Sequence, residues 1–351
     1  MTALWELPDF DDHELVHFVT DRRSGLRAII AVHSTHLGPG AGGVRFWHYA
    51  EPADAFADVL RLSRGMSYKN AMADLPLGGG KAVILADENF TKTPAMLAAY
   101  GRAVEALGGR YITAEDVGMS VADLVAIAKE TPHVSGLPAE EGEVGGDPGP
   151  HTAYGVYLGV KAAARRKLGT DSLAGVRIAL QGAGSVGSRV ARHAAQEGAR
   201  LAIADIDPAR AAALAGEAGG TVVDARGILS TEADIFCPCA LGAILDERSI
   251  PELKAAVVAG GANNQLATPA DGERLAARDI LYAPDYVINA GGIINVASEH
   301  LGLTGKDGVR ENIERIPGRL REIWDESDAS GHHPAEVADA IAQRRIGRGG
   351  A

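Results

Sequence analysis

The sequence predicts an α/β protein with two domains. The chain has 351 residues, which is more than one hydrophobic core usually serves. Strand-like and helix-like segments alternate along most of its length. The segment 137–150, LPAEEGEVGGDPGP, is dense in glycine, proline and acidic residues and is typical of a domain hinge. We therefore expect one domain over residues 1–145, a second over 146–330, and a C-terminal helix over 331–351.

In the N-terminal half, the spacing of apolar residues predicts both strands and helices. The predicted strands cover 26–33 (LRAIIAVH), 81–87 (KAVILAD) and 110–116 (RYITAED). An amphipathic helix runs from Phe56 towards Met66, and a second long helix covers 93–109. The segment 36–47, HLGPGAGGVRFW, is predicted to be a loop. The first domain is therefore expected to be α/β.

The strongest local pattern lies after the hinge. A helix over 152–169 is followed by an apolar strand over 176–180. Gly182, Gly184 and Gly187 then form a G-x-G-x-x-G pattern at the start of a helix. The first glycine makes a tight turn, the second admits a pyrophosphate near the helix N-terminus, and the third lets the helix pack against the strand. This context predicts a Rossmann domain that binds a dinucleotide.

Asp205 ends the next predicted strand, LAIADID, and bears on the choice of dinucleotide. Its carboxylate would accept hydrogen bonds from the adenosine ribose and repel a 2'-phosphate, so NAD is expected rather than NADP. Arg210 lies close enough in sequence to weaken that preference. Ser185 and Val186 complete the glycine-rich loop and are expected to contribute to the cofactor site.

The charge and the cysteine content exclude several classes of function. A formal net charge of -12 argues against a nucleic-acid partner and against binding to an anionic membrane. The N-terminal stretch MTALWELPDFDDHELVHF shows neither a signal peptide nor a membrane span, so a cytoplasmic location is expected. Cys237 and Cys239 supply too few ligands for a structural zinc site, and we interpret them as buried thiols at the end of a strand. No metal is expected.

Two lysines flank an apolar segment and a glycine triplet in the stretch 67–84, SYKNAMADLPLGGGKAVI. Lys81 directly follows the three glycines, which let a backbone pass close to a ligand. Lysine is otherwise a residue of solvated surfaces. The spacing alone therefore leaves a functional and a surface role open for Lys81, and it favours the surface role for Lys69.

Three further polar positions are ambiguous from the residues alone. Asp116 is explained by a helix N-cap or a turn. Asn263 and Asn264 follow a strand, which is where an open α/β sheet binds ligands. Asparagine also occurs in such turns because it tolerates left-handed backbone, so both explanations stay open.

Seven segments resemble the Glu/Leu/Phe/Val amino acid dehydrogenase superfamily, with the greatest likeness to leucine dehydrogenases. They lie in order between about Leu37 and Ser298 and read LGPGAGG, GMSYKNAMADLPLGGGKAVI, GRYITAEDVG, HTAYGVY, CPCALGA, GGANNQL and APDYVINAGGIINV. The resemblance implies reversible, NAD-dependent oxidative deamination of an apolar L-amino acid to the 2-oxo acid, ammonium and NADH. It also implies a cleft between an N-terminal substrate domain and the Rossmann domain, and a C-terminal helix that returns towards the first domain.

The resemblance assigns different work to the two lysines. Lys69 would bind the substrate α-carboxylate, helped by the backbone of Gly42 and Gly43. Lys81 would activate the water that attacks the iminium carbon, and burial near a second ammonium would lower its pKa from about 10.4 towards the range of a base. Asp116 would carry a proton to and from the substrate nitrogen.

The remaining family positions concern the cofactor and the substrate side chain. One or both of Asn263 and Asn264 would hold the nicotinamide ribose and carboxamide, together with Thr152, and which asparagine faces the cofactor and which the substrate stays open. The other cofactor positions are Ala240 and Asn289, and the apolar pocket positions are Ala41, Ala114, Ile293 and Val296. Leucine dehydrogenases carry a bulky aliphatic residue where this chain has Ala41, which implies a wider pocket.

The resemblance also bears on specificity, assembly and the competing functions. Glutamate-specific members place a lysine and a serine at the positions of Ala41 and Val296, so glutamate is expected to be rejected. Branched aliphatic substrates are expected to exceed aromatic ones, because Ile293 and Val296 are stiff. A homo-oligomer is expected, with a dimer or tetramer as readily as an octamer because the C-terminal region is short. The alternatives are a phenylalanine dehydrogenase and a catalytically silent nucleotide-binding protein. The silent protein would need none of Lys69, Lys81 and Asp116.

Overall fold

The computed structural model describes residues 4–7, 9–138, 146–240, 242–301 and 306–348. The chain divides into two compact units. The first contains the described residues of Met1–Gly146, Val296–Lys306 and Ala342–Ala351, and the second those of Asp147–Asn295 and Asp307–Ile341. The described residues of 296–301 and Lys306 thus belong to the first unit, although they were predicted to lie in the second domain. Residues 331–341 belong to the second unit, although they were predicted to be part of a separate C-terminal helix. Within the predicted hinge, residues 139–145 lie outside the described residues.

The first unit is built on a five-stranded mixed sheet with the strand order β1-β2-β4-β3-β5. Its strands are β1 (Leu15–Asp21), β2 (Leu26–Ser34), β3 (Gly40–Trp47), β4 (Gly78–Leu85) and β5 (Tyr111–Glu115). Its helices are α1 (Pro52–Met72), α2 (Pro94–Glu105) and α3 (Val121–Ile127). β2 is antiparallel to both β1 and β4, whereas β3 runs parallel to β4 and β5.

Separate hydrophobic clusters cover the two faces of this sheet. On one face, α1 buries Phe56, Val59 and Leu60 against Ile29 and Val83 of the sheet. On the other face, residues of α2 and α3 pack against the neighbouring strand positions. Because side chains alternate between the faces of a strand, positions two residues before or after Val83 on β4 also point towards α1.

Two strands of this sheet were not predicted. The segment 36–47 was predicted to be a loop, but Gly40–Trp47 forms β3 between β4 and β5. Its glycines are explained by close packing, because a Cβ on Gly42 would lie 1.9 Å from the carbonyl oxygen of Gly80. β1, at the edge of the sheet, has mostly half-buried residues and therefore a weak apolar pattern.

The second unit contains a six-stranded parallel sheet with the strand order β11-β10-β9-β6-β7-β8. Its strands are β6 (Arg177–Gln181), β7 (Arg200–Ala204), β8 (Thr221–Val222), β9 (Ile235–Pro238), β10 (Val257–Val258) and β11 (Leu281–Tyr282). This order is that of a doubly wound sheet, with the strand order reversing between β6 and β9. The predicted Rossmann domain is confirmed.

Helices complete the second unit and the C-terminal part of the chain. They are α4 (Gly149–Leu168), α5 (Ser185–Gln196), α6 (Pro208–Ala218), α7 (Ala270–Ala277), α8 (Asp285–Ile288), α9 (Gly291–His300), α10 (Lys306–Ile313), α11 (Ile316–Ser330) and α12 (Pro334–Arg345). None of the helices in the described part of the chain is long and apolar enough to cross a membrane. Among the same residues, no group of three or more His, Cys, Asp or Glu side chains is arranged to hold a metal ion.

The cysteines differ in burial. Cys237 lies in β9 and is fully buried, as predicted, but Cys239 follows the strand and is partly exposed. The two sulfur atoms are 3.7 Å apart. The prediction of two buried thiols is therefore right for Cys237 only, because the strand ends at Pro238 and the chain turns outwards after it.

The described chain ends in a glycine turn after α12. Gly347 has a φ of +74°, its amide donates to the carbonyl of Arg344, and the amide of Arg348 donates to the carbonyl of Gln343. These two bonds form a Schellman motif, which glycine favours because it has no side chain to clash in left-handed backbone. The motif turns the chain so that the Arg348 side chain leaves the helix axis.

Arg348 occupies a socket of acceptors in the first unit. Its guanidinium donates to the backbone carbonyls of Asp11, Asp12 and His33, and it lies 2.7 Å from Nε2 of the His33 ring. Nδ1 of His33 lies 2.8 Å from the Ser67 hydroxyl of α1. The socket therefore connects residues from the two ends of the described chain with α1.

The Arg348 socket predicts a pH dependence of stability. Burial and the positive charge of Arg348 lower the pKa of His33 to about 4. An unfolded histidine has a pKa of about 6.5, so the unfolded chain binds more protons between these values and stability falls as the pH decreases through this range. The melting temperature, followed by circular dichroism between pH 7.5 and 4.5, should therefore drop less in a His33→Gln variant than in the parent. His17→Gln, at a partly exposed position on β1, is the matched control and should keep the parental drop; equal drops in all three proteins would contradict the role of His33.

Candidate active site

Lys81 lies in the middle of the first unit's sheet. It belongs to β4 and is two residues from Val83, so its side chain is on the face that α1 covers. Only 6% of the residue is exposed. The structure therefore excludes the surface role that the sequence had left open for Lys81.

The glycine triplet before Lys81 brings α1 close to β4. A Cβ on Gly79 would lie 2.1 Å from the backbone nitrogen of Ser67, which is shorter than any normal contact. The close approach thus involves the protein's own helix, whereas the sequence had suggested a ligand. Lys69 lies two residues after Ser67, in the last turn of α1, and is half-buried.

Asp116 directly follows β5 and faces Lys81. Its Oδ2 lies 3.0 Å from Nζ of Lys81. The N-cap of the next helix, α3, is Ser120, whose hydroxyl accepts from the Asp123 amide in a capping box. The explanation of Asp116 as an N-cap is therefore wrong, whereas its carbonyl does accept from the Met119 amide in a turn. Its half-buried carboxylate forms an ion pair with the buried Lys81.

Arg45 and Asp58 extend this ion pair, and the sequence analysis missed both. Arg45, on β3, donates from Nε to Oδ2 of Asp116 at 2.9 Å and from Nη1 to Oδ2 of Asp58 at 2.6 Å. Asp58, on α1, also accepts from the Tyr49 hydroxyl at 2.7 Å. The available signal was a charged residue within the apolar run GVRFW, which was obscured because that segment was taken as a loop.

The environment shifts the proton affinity of Lys81 and Asp116 in the same direction. Burial lowers the pKa of Lys81, Asp116 opposes this, and the positive charge of Arg45 adds to it. Burial would raise the pKa of Asp116, but the charges of Lys81 and Arg45 outweigh it and lower that pKa. The site therefore combines a lysine that loses its proton more readily than usual with a carboxylate that is more acidic than usual, and general acid–base catalysis uses groups shifted in this way.

Gly42 and Gly43 lie in β3, beside this ion pair. Gly42 pairs with Thr113 and Gly43 with Ala114 of β5. The buried Tyr111 hydroxyl donates to the Gly42 carbonyl at 2.7 Å. A Cβ on Gly43 would lie 2.8 Å from Cβ of Asp116, so a larger residue there would displace the carboxylate.

The proposed side-chain pocket residues are all apolar. Ala41 is buried on β3, and Ala114 is half-buried on the adjacent β5. Ile293 and Val296 are half-buried one turn apart on α9, with Ile293 in the second unit and Val296 in the first.

The three glycines of the loop in the second unit differ in how closely other atoms pack against them. Gly182 has a φ of +97°, and a Cβ on Gly187 would lie 1.9 Å from the Gly182 carbonyl oxygen. Gly184 caps α5, whose first residues are Ser185 and Val186, and no atom lies within 4 Å of where its Cβ would be. The loop is therefore tight at its first and third glycines and open at the second.

Asp205 follows β7, and its carboxylate is hydrogen-bonded to the backbone of the glycine loop. Its Oδ2 accepts from the Ala183 amide at 2.7 Å and its Oδ1 from the Asp207 amide at 2.8 Å. Nε of Arg210 lies 4.0 Å from Oδ1 of Asp205 and 3.0 Å from a carboxylate oxygen of Asp207. Arg210 is thus engaged by acidic side chains.

The asparagines after β10 differ in conformation. Asn264 has a φ of +51°, so the left-handed turn that the sequence left open describes its backbone. Asn263 instead accepts a hydrogen bond through Oδ1 from Nδ2 of Asn289 at 2.8 Å. Oδ1 of Asn289 is itself buried without a hydrogen-bond partner within the described ranges.

The two remaining cofactor positions, Thr152 and Ala240, lie in the second unit. The Thr152 hydroxyl, in the first turn of α4, donates to the Pro148 carbonyl at 3.0 Å. Its oxygen would lie 2.5 Å from a Cβ on Gly292, at the start of α9. Ala240 is exposed just after β9, and its Cβ would lie 3.0 Å from a Cβ on Gly182.

Two family models match the chain. The model described as Glu/Leu/Phe/Val dehydrogenase, dimerisation domain, matches residues 13–133. The model described as Glutamate/Leucine/Phenylalanine/Valine dehydrogenase matches residues 208–346. The chain belongs to the Glu/Leu/Phe/Val dehydrogenase family. The resemblance stated from the sequence is confirmed.

Known proteins are similar to this dehydrogenase over nearly its whole length. The leucine dehydrogenase of Geobacillus stearothermophilus is 48% identical over 335 residues, which are 95% of this chain and 91% of that protein. The valine dehydrogenase of Streptomyces virginiae is 45% identical over 341 residues, which are 96% of this chain and 95% of that protein. The crystal structure of L-tryptophan dehydrogenase from Nostoc punctiforme is 40% identical with a TM-score of 0.85, covering 96% of each chain. The expected likeness to leucine dehydrogenases is confirmed.

A dehydrogenase of this family with a Rossmann domain uses a nicotinamide cofactor, and the second unit fits one. The open position at Gly184 lies at the N-terminus of α5, where backbone amides can receive a pyrophosphate. The unpartnered Oδ1 of Asn289 is an acceptor that a carboxamide could satisfy. The second unit thus has an open glycine at the N-terminus of α5, and the first unit has an ion pair of Lys81 and Asp116.

Proposed function

We propose that this dehydrogenase oxidatively deaminates branched-chain L-amino acids, leucine foremost, with NAD, in the cytoplasm. The products are the 2-oxo acid, ammonium and NADH. The observation that carries the proposal is the buried pair of Lys81 and Asp116, 3.0 Å apart, in a chain similar to leucine dehydrogenases. A catalytically silent binder of the same fold would gain nothing from burying a lysine, which costs free energy.

The proposed reaction gives each side chain one task. Lys69 binds the α-carboxylate of the amino acid, with the Gly42 and Gly43 backbone beside it. NAD, when bound, supplies the acceptor for the electron pair of the α-carbon–hydrogen bond, which leaves the substrate as an iminium ion. Lys81 then takes a proton from water as the water oxygen bonds to the α-carbon. Before this, Asp116 accepts a proton from the substrate ammonium group, and it later returns that proton to the carbinolamine nitrogen. Ammonia then leaves as the carbonyl forms and takes up the proton of the carbinolamine hydroxyl to become ammonium, and the proton on Lys81 is released to solvent.

One experiment separates this proposal from its competitors. The protein is mixed with NAD and, in turn, with L-leucine, L-valine, L-isoleucine, L-phenylalanine and L-glutamate, and NADH absorbance is followed. Leucine should give the highest kcat/KM. No NADH with any amino acid, combined with normal NADH binding, would favour the silent binder and overturn the proposal.

A phenylalanine dehydrogenase is the second candidate. Two observations favour it: Ala41 leaves room on β3, and the chain is similar to a tryptophan dehydrogenase and to the phenylalanine dehydrogenase of Bacillus thermotolerans, which is 44% identical. The β-branched side chains of Ile293 and Val296 argue against an aromatic substrate because they adapt poorly. A higher kcat/KM for phenylalanine than for leucine would decide for this candidate.

Oligomerisation is part of the proposal. The family model that matches residues 13–133 is described as a dimerisation domain. We propose a homo-oligomer of this chain, and light scattering of the purified protein would give the number of subunits. A monomer at micromolar concentration would overturn this part.

The choice of NAD over NADP is tested at Asp205. Replacing Asp205 with serine should narrow the preference for NAD by at least about tenfold, because the carboxylate no longer repels a 2'-phosphate. The measurement is kcat/KM for both cofactors with saturating leucine. Asp171→Ser is a suitable control, since this exposed carboxylate after α4 pairs with Arg165 and contacts neither the glycine loop nor Arg210, so the preference should stay nearly unchanged. A parental preference for NADP would show that the role of Asp205 is wrong.

A further inference from the structure

The proposed reaction places opposing demands on the protonation of Lys81 and Asp116. The proposed reaction needs Lys81 neutral when it activates water, and it needs Asp116 ionised when it accepts a proton. Once Lys81 is neutral, it no longer balances the carboxylate 3.0 Å away, and a buried carboxylate without a partner tends to take up a proton. A second, permanent cation beside Asp116 would remove this conflict.

Arg45 has the position and the chemistry for that task. Its Nε lies 2.9 Å from Oδ2 of Asp116, and only 23% of its side chain is exposed. A guanidinium keeps its proton throughout the pH range of enzymes. Arg45 therefore remains charged when Lys81 does not.

Both cations use the same oxygen of the carboxylate. Nζ of Lys81 and Nε of Arg45 each lie within 3.0 Å of Oδ2 of Asp116. Oδ1 is consequently the oxygen left for the substrate nitrogen. A carboxylate held by one oxygen presents the other in a fixed direction.

We propose that Arg45 is a positioning residue of the dehydrogenase reaction, which keeps Asp116 ionised by holding Oδ2 and so directs Oδ1 at the substrate nitrogen. This inference rests on the functions proposed above for Lys81 and Asp116.

Asp58 and its neighbours fix Arg45 from the other side. Oδ2 of Asp58 accepts from Nη1 of Arg45 at 2.6 Å and from the Tyr49 hydroxyl at 2.7 Å. Oδ1 of Asp58 accepts from Arg61 at 3.2 Å. Asp58 is itself only 8% exposed. The guanidinium is thus held between two carboxylates, one on α1 and one after β5, as a preorganised site requires.

A cavity in the first unit reaches this guanidinium. It has a volume of about 520 Å³, and Arg45, Asp58, Arg61 and Trp47 are among its lining residues. The space left by a shortened residue 45 would therefore open towards the cavity. A small cation could then replace the missing guanidinium, which makes chemical rescue possible.

The first test is the pH profile of kcat/KM for leucine. Arg45→Met removes the charge and keeps much of the bulk. Because the charge of Arg45 lowers the pKa of Asp116 and that of Lys81, its removal should move the acid limb upwards by about one pH unit and lower the rate near neutral pH about tenfold. Within the described ranges, the other charged or titratable groups near Arg45 stay in place in this variant; they are Asp116, Lys81, Asp58, Tyr49 and Arg61, together with Asp9 and Asp54, which line the same cavity.

Two matched variants separate charge from packing. Arg45→Lys keeps the charge but lacks the planar guanidinium. The acid limb of this variant should therefore be shifted less from the parental position than that of Arg45→Met. Arg61→Met removes the other arginine that contacts Asp58, without touching Asp116, and should leave the acid limb in place. If Arg45→Met folds poorly, Asp58→Asn can be added to it to remove the carboxylate that lost its arginine partner. The double variant should regain stability, while the acid limb of its pH profile should stay shifted as in Arg45→Met.

The second test is rescue of Arg45→Ala by guanidinium. Guanidinium chloride at concentrations well below the denaturing range should restore turnover in a saturable manner, whereas sodium chloride at the same ionic strength should not. Absence of rescue in a folded Arg45→Ala protein, or an unmoved acid limb in Arg45→Met, would overturn the role of Arg45. Normal turnover in Asp116→Asn would instead overturn the proposed function, so the two failures are distinguishable.

Discussion

Replacing Lys81 with alanine is expected to lower kcat at least about 100-fold, the effect of losing a general base. The reason is structural: Lys81 is the buried amine whose pKa burial lowers, and it faces Asp116 directly. NADH binding should change little, because the nucleotide cradle belongs to the other unit. The measurements are steady-state kcat for leucine and NADH affinity by fluorescence.

A second lysine of the same unit supplies the control for this experiment. Lys92 also forms an ion pair, with Asp123, and donates to the Gly118 carbonyl. Lys92→Ala removes a comparable salt bridge without touching Asp116, so its kcat should stay within about threefold of the parent. If Lys81→Ala retained near-normal turnover while folded, the assignment of the general base would have to be abandoned.

Glutamate is expected to have a kcat/KM at least about 100-fold below that of leucine. The four residues proposed to meet the substrate side chain are Ala41, Ala114, Ile293 and Val296, and none offers a hydrogen bond or a charge. Burying the distal carboxylate of glutamate without a partner costs several kcal/mol. An aliphatic side chain instead gains about 0.8 kcal/mol for each buried methylene, so leucine should exceed valine and both should exceed alanine.

Specificity constants for leucine, valine, alanine, phenylalanine and glutamate test this order. Ala41→Leu is an informative companion, since it adds volume to a buried position on β3 and should reduce phenylalanine more than valine. A glutamate value within tenfold of leucine would refute the apolar pocket. A phenylalanine value above leucine would show that the space at Ala41 outweighs the two β-branched residues.

The Rossmann domain was predictable because its signal is local. A strand, three glycines, a helix and an acidic residue follow one another within a short stretch, and each has a known structural role in a dinucleotide-binding fold. The buried acid–base site was harder to predict, since its members come from β3, α1, β4 and the end of β5. Residues alone suggested an N-cap for Asp116, and only the family resemblance indicated catalysis.

Arg45 and Asp58 show why the rest of the site escaped prediction. Both have ordinary surface chemistry in the sequence, and Arg45 lies in a glycine-rich stretch that predicts a loop. The glycines of β3 are instead required by the neighbouring strand, which is a tertiary constraint with no local pattern. Asn264 illustrates the opposite case, because its left-handed backbone follows from a local preference that the sequence does reveal.

The Arg348 socket has a consequence for the order in which the chain folds during synthesis. The five strands of the first unit are all made by Glu115, but the bonds of Arg348 to Asp11, Asp12 and the β2 residue His33 wait until residue 348 has left the ribosome. The long continuous stretch 147–295 of the second unit emerges earlier than that. Domains generally fold as their chain becomes available, and long-range contacts form last. The sheet of the second unit lies within this stretch and is therefore free to form before the first unit is closed, although the second unit itself is completed only by residues 307–341.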